Sequence, residues 1–168
     1  MSCIAGIDLS SYALHCAVIE VERDDEPYFM EYTLGKKRRD SLITRIGFVY
    51  GAVAAFGFTY PKRISMWPGL YVALEEPRGQ GRLAVPATWG ALVGELGRNM
   101  VETASLSSGE WRGELGVRDT KAEGHGAVMQ WMILHEHALI GDVADEHRLD
   151  ALGVALAWRS MLRKQEAA

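Results

Sequence analysis

The sequence has few cysteines and no long apolar run, and both scarcities exclude classes of protein. Cys3 and Cys16 are the two cysteines among 168 residues, and they form no C-x-x-C pair. A disulfide-stapled domain and a cysteine-based zinc site are therefore excluded, and we expect reduced, buried thiols. No apolar run approaches the roughly 20 residues that a membrane-crossing helix needs.

An excess of basic residues is also missing, since the formal net charge is −4. A protein that binds the DNA backbone usually has a basic balance or at least a basic face. The net charge argues weakly against nucleic acid, because carboxylates gathered in a metal site lower the total while basic residues can still share one surface. The first residues lack the pattern of a secretory signal, so we expect a cytoplasmic protein. The length and the absence of an internal repeat or linker predict one domain, residues 1–168.

Hydrophobic patterning predicts three strands, then alternating helices and strands. The expected strands are Cys3–Leu9, residues 13–21, residues 28–34, Leu70–Glu75 and residues 101–106. The expected helices begin near Asp40, span residues 89–100, run from a capping box at Thr120 to about residue 138, and begin again near Asp145. This order predicts an α/β fold with a mixed five-stranded sheet, of which the first three strands are antiparallel, and with helices on both faces.

Carboxylates occur where such a sheet makes them costly. Asp8 lies inside an apolar strand, where a charge needs a cation or hydrogen bonds. Glu75 ends a second apolar strand, so two like charges would need a shared counter-ion. His147 and Asp150 are three residues apart, a spacing that places them on one face of a helix.

These four side chains are oxygen and nitrogen donors of the kind that Mg²⁺ or Mn²⁺ accepts. They suit two-metal hydrolysis of a phosphodiester, in which one ion activates water and the other stabilises the leaving oxygen. In that scheme Asp8 is the natural bridging ligand, Glu75 and Asp150 complete the ligand set, and His147 binds metal or handles a proton.

Each feature also has an ordinary structural interpretation. Asp8 precedes a Ser-Ser turn, where Asp is common. Glu75 and Glu76 can both begin a solvated loop, and His147 can be a surface residue of an acidic first helical turn. The scattered histidines His125, His135 and His137 are interpreted as structural, since residues two apart do not share a helix face.

Three motifs occur in order along the chain: Gly6-Ile7-Asp8, Ala73-Leu74-Glu75 and His147-x-x-Asp150-Ala151-Leu152. In this order the chain resembles the RuvC family of Holliday-junction resolvases, and its phage-encoded members above all. Members of that family have Asp or His at the position that His147 fills. One departure is Pro77-Arg78-Gly79, where the family often has an aromatic residue that wedges into the junction.

The resemblance implies a ribonuclease H-like fold and a homodimer that binds a four-way DNA junction and cuts two strands near the crossover. It also implies Mg²⁺ or Mn²⁺ as cofactor, with Asp8, Glu75, His147 and Asp150 as catalytic and metal-binding residues. The predicted DNA contacts are basic side chains outside the acidic cluster: Lys36, Lys37, Arg38, Arg39, Arg78, Arg82, Arg112 and Lys121. The run from Lys36 to Arg39 can equally be a solvated loop.

Three other functions compete with this one. An actin-like sugar kinase or ATPase also begins with a G-I-D strand, but that fold needs about twice this length and a second Gly-rich phosphate loop. A relative of the same fold could cut flaps or other branched DNA, which the sequence does not separate from junction cutting. A relative that binds junctions without cutting would be expected to lack a carboxylate, and all of them are present.

Overall fold

A computed structural model describes residues 2–10, 13–34, 41–58, 69–77, 84–99, 101–118, 120–137 and 145–168. The strands are β1 (Cys3–Leu9), β2 (Ala13–Glu20), β3 (Tyr28–Thr33), β4 (Leu70–Glu75) and β5 (Glu102–Leu106). The helices in the described ranges are α1 (Leu42–Ala55), α2 (Ala84–Arg98), α3 (Ser108–Glu114), α4 (Lys121–Leu134) and α5 (Glu146–Glu166). Among these helices, none is long and apolar enough to span a membrane.

The predicted mixed sheet is confirmed. Its strand order is β3-β2-β1-β4-β5, with β1, β2 and β3 antiparallel and with β4 parallel to both β1 and β5. The last register pair between β1 and β4 is Ile7 with Leu74, so the next residues, Asp8 and Glu75, lie at the same edge of the sheet. The parallel register therefore brings two sequence-distant carboxylates to neighbouring strand ends.

Helices cover both faces of the sheet, as predicted. On one face α1 and α2 pack against a core that includes Leu14, Val72 and Leu74. On the other face α5 packs across β1, β2 and β4, with α3 and α4 beside it. Successive strand residues point to opposite faces, so Ile4 and Ala73 pack on the α5 side while their neighbours pack on the other.

Gly6 allows α5 to lie directly against the central strand. A Cβ atom at this position would meet the backbone oxygen of Ala151 at 2.0 Å and the backbone nitrogen of Ala155 at 2.6 Å. Any larger residue would push the helix away from β1. Since Asp8 follows two residues later on the same face, this close approach also sets how near the first turns of α5 come to Asp8.

Several element boundaries differ from the predicted ones. Helix α2 begins five residues before the expected start at Trp89, because Pro86 falls in its first turn, where proline costs no hydrogen bond. Helix α4 ends at Leu134 rather than near residue 138, because Glu136 has a left-handed φ of 56°. Helix α3 was not predicted, although Ser107 and Glu110 form its complete capping box.

Candidate metal centre

Strand alternation places the candidate site on the α5 side of the sheet. Asp8 shares a strand face with Gly6, and Glu75 shares one with Ala73, whose side chain packs against α5. Asp8 is buried to 9% exposure, so its carboxylate is held near the protein interior. Two carboxylates therefore meet at one sheet edge with a helix terminus above them.

The first turns of α5 complete the group. His147 Nδ1 lies 2.5 Å from Asp8 Oδ2, a short hydrogen bond. Donor atoms of Asp8, His147 and Asp150 all lie within 4.8 Å of one another. The hydrogen bond to Asp8 raises the pKa of His147 above its ordinary value, against the opposing effect of burial. Three of the four residues singled out in the sequence thus form one compact donor set.

Glu75, the fourth, lies beside this set with its carboxylate unsatisfied. Its Oε2 atom is buried and finds no hydrogen-bond partner among the described residues. Burial, followed by repulsion from Asp8 and Asp150, raises the pKa of Glu75 to about 7, and the nearby Trp111 and Arg112 oppose this only in part. The carboxylate of Glu75 therefore lacks the counter-charge that its surroundings demand.

Two residues of α4 hold Asp150 from the other side. His125 Nε2 lies 2.9 Å from Asp150 Oδ1, and Lys121 Nζ lies 3.2 Å from Asp150 Oδ2. Lys121 also pairs with Glu146 at 2.8 Å. The sequence interpretation of His125 as merely structural missed this contact. Both oxygens of Asp150 are therefore engaged, which fixes the orientation of its carboxylate.

A second imidazole stacks on the site. The His15 ring lies 4.8 Å from the His147 ring, centroid to centroid, with 16° between their planes. Burial lowers the pKa of His15 below its ordinary value, although the neighbouring Asp145 carboxylate acts in the opposite direction. His15 was not singled out in the sequence, because its place beside His147 depends on the β1–β2 register, which pairs it with Asp8.

The predicted DNA contacts have varied positions. Lys36, Lys37, Arg38, Arg39, Arg78 and Arg82 lie outside the described residues. Lys121 is partly exposed at the edge of the donor set. Arg112 is 2% exposed, and its guanidinium lies 4.9 Å from the centre of the Trp111 ring. This burial corrects the prediction that Arg112 is available for a phosphate, because a side chain shielded from water is shielded from DNA as well.

The chain is similar in structure to two solved proteins. Thermus thermophilus RuvC superimposes with a TM-score of 0.69 and 19% sequence identity, over 97% of this chain and 96% of that one. A structure of T. thermophilus RuvC in complex with a Holliday junction substrate superimposes with a TM-score of 0.67 and 18% identity, over 98% and 96% of the two chains. No protein-family model and no curated protein matches the sequence. The chain has the ribonuclease H-like fold of RuvC.

Proposed function

We propose that this chain is a metal-dependent endonuclease that cuts branched DNA, and four-way junctions in particular. The observation that supports this most directly is the convergence of Asp8, Glu75, His147 and Asp150 from β1, β4 and α5 at one sheet edge. The fold likeness supports it further, because one of the similar structures is a complex with a Holliday junction substrate.

The residues present fit a divalent cation. Three carboxylates and one imidazole offer the donor atoms that Mg²⁺ and Mn²⁺ accept. Glu75 Oε2, which has no hydrogen-bond partner within the described ranges, is an oxygen that a cation would satisfy. Two such ions, held by these four residues, would supply an activated water and charge stabilisation for the leaving oxygen of a phosphodiester.

The protein side chains prepare the site for this chemistry. Asp150 is oriented by His125 and Lys121, so its ligand oxygens have few positions to sample. The proton between His147 Nδ1 and Asp8 Oδ2 must leave before both atoms can act as ligands. Burial around Glu75 excludes water and strengthens electrostatic interactions at the reacting phosphate.

DNA recognition belongs to the same proposal. Lys121 lies at the margin of the donor set, where its ammonium could meet a phosphate as well as Glu146 and Asp150. The basic residues from Lys36 to Arg39, with Arg78 and Arg82, remain predicted contacts. A homodimer would present two such sites and could cut two strands of one junction, and a phage origin rests on the motif resemblance alone.

The experiment is cleavage of labelled synthetic four-way junctions, flaps and linear duplex with Mg²⁺ or Mn²⁺. The wild type is compared with Asp8→Asn and Asp150→Asn, and with Glu102→Gln, an exposed charge on β5, as the matched control. We expect paired, symmetric nicks in the junction that the first two substitutions abolish while junction binding persists.

Two other results would change the assignment. Flaps cut as readily as junctions would indicate a broader branched-DNA nuclease. Absence of metal-dependent cutting on every substrate, with binding retained, would refute the nuclease and favour a protein that binds junctions without cutting them.

A further inference from the structure

A row of chemically active side chains crosses the sheet away from the proposed catalytic residues. The antiparallel registers pair Asp8 with His15 and His15 with Glu31, so the three lie side by side across β1, β2 and β3. Asp145, at the N-cap of α5, lies over the outer part of this row. His15, Glu31 and Asp145 therefore form a second group, next to His147 but sharing no residue with the catalytic set.

The imidazole of His15 points into this group without a hydrogen bond. His15 is 6% exposed, and its Nδ1 atom has no hydrogen-bond partner in the part of the chain that the structure describes. Nδ1 lies 3.7 Å from Asp145 Oδ2 and 3.9 Å from Glu31 Oε2. Both separations are too long for hydrogen bonds. A buried ring nitrogen that faces two carboxylate oxygens in this way lacks an atom between them.

Arg148 does not fill that place. Its Nε atom lies 3.1 Å from Asp145 Oδ2 yet makes no hydrogen bond with any described residue, and a guanidinium nitrogen lies 4.0 Å from Glu31 Oε2. One guanidinium thus faces two carboxylates and satisfies neither fully. It also cannot serve the His15 nitrogen as an acceptor, because a guanidinium only donates.

The spacing of the three atoms suits a metal ion. Since they lie within 4.8 Å of one another, a point equidistant from them is roughly 2.5 Å from each, a few tenths of an ångström beyond the 2.0–2.2 Å of Zn–N and Zn–O bonds. Glu31 and Asp145 are partly exposed and can move inward by that amount. A pocket of about 550 Å³, lined in part by His15, Glu31 and His147, gives an ion and its waters access.

We propose that His15 Nδ1, Glu31 and Asp145 form a second cation site, which binds one Zn²⁺ or Mn²⁺ ion separately from the catalytic ligands. An imidazole with two carboxylates favours such borderline ions over Mg²⁺, which prefers oxygen ligands alone. The bound ion ties β2 and β3 to the start of α5. Since His147 follows Asp145 by two residues, the ion also steadies the turn that presents His147.

The test measures metal binding in a chain that cannot use its catalytic site. Purified Asp8→Asn/Asp150→Asn protein is titrated with Co²⁺, a spectroscopic substitute for Zn²⁺, followed by visible absorption and calorimetry. We expect one equivalent of Co²⁺ to bind and excess Zn²⁺ to displace it. Adding His15→Gln should abolish this binding, and Glu31→Gln should weaken it. Because no cutting is measured, the result is independent of the proposed nuclease activity.

Controls keep the outcome decisive. Glu31→Gln is the second variant in case the buried His15→Gln protein does not fold, since the Glu31 side chain is 42% exposed. Arg148→Gln should tighten Co²⁺ binding about tenfold or more, because it removes a like charge beside the ion, whereas Arg98→Gln on α2 should not. The proposal is overturned if the double variant binds no Co²⁺, if His15→Gln or Glu31→Gln leaves binding intact, or if Arg148→Gln fails to tighten it.

Discussion

Replacing Glu75 with glutamine should stabilise the metal-free protein, and the gain should grow with pH. The pKa of Glu75 rises from 4.5 to about 7 in the folded protein, chiefly through burial and then through repulsion by Asp8 and Asp150. A carboxyl group with a raised folded-state pKa contributes stability that is present below its unfolded pKa. That contribution is lost as the pH rises through the folded pKa. Glutamine keeps the shape of the side chain without the charge.

The size of the effect follows from that difference. At about 1.4 kcal/mol per pH unit, the interval from 4.5 to about 7 corresponds to an upper limit of roughly 3 kcal/mol. We expect the free energy of unfolding of Glu75→Gln to exceed that of the wild type by about 2 kcal/mol more at pH 8 than at pH 5. For a chain of this length, such a change moves the melting temperature by about 4–8 °C.

The assay is urea denaturation of both proteins in EDTA at pH 5, 6, 7 and 8. Glu76→Gln, which removes the exposed neighbouring charge, is the matched control and should change stability by less than about 0.5 kcal/mol. Adding Mg²⁺ or Mn²⁺ at pH 8 should stabilise the wild type more than Glu75→Gln. The reasoning fails if the difference between wild type and Glu75→Gln is the same at pH 5 and pH 8, or if the variant is less stable at pH 8.

Three further predictions test the packing and the ligand support. Gly6→Ala should destabilise the fold by about 2 kcal/mol or more, because its Cβ would overlap α5 backbone atoms; Gly90→Ala, which meets nothing within 4 Å, should be neutral or stabilising by denaturation. His125→Ala should weaken the Mg²⁺ dependence of cleavage by about 10–100-fold through the loss of its bond to Asp150, and an unchanged Mg²⁺ requirement would contradict that role. Ser107→Ala should cost about 1 kcal/mol in thermal denaturation, since it breaks a complete capping box.

The positions of Asp8, Glu75, His147 and Asp150 could be anticipated because each depends on local pattern. Strand ends are visible where an apolar run meets a carboxylate, and parallel neighbours end at one edge. A spacing of three residues places His147 and Asp150 on one helix face. The sequence therefore predicted both the sheet and the grouping of these side chains, while their catalytic role stays a prediction.

Contacts that depend on how elements pack could not be read in the same way. His125 reaches Asp150 only because α4 lies against α5, and no periodicity fixes that arrangement. His15 joins the row through strand register, which a sequence without a tight hairpin turn leaves open. Arg112 carries an exposed-looking charge, yet α3 turns it against Trp111. Helix α3 itself was readable from its capping box, so that omission was avoidable.

The arrangement of charges explains why one carboxylate governs the response to metal. Asp8 has the imidazole of His147 against it, and Asp150 has both His125 and Lys121. Glu75 has an oxygen without any hydrogen bond from the described residues, and the two other carboxylates repel it. A cation that enters the group must compete with the existing partners of Asp8 and Asp150, but it relieves Glu75 without displacing any such partner. The stabilisation gained on metal binding should therefore come mainly through Glu75.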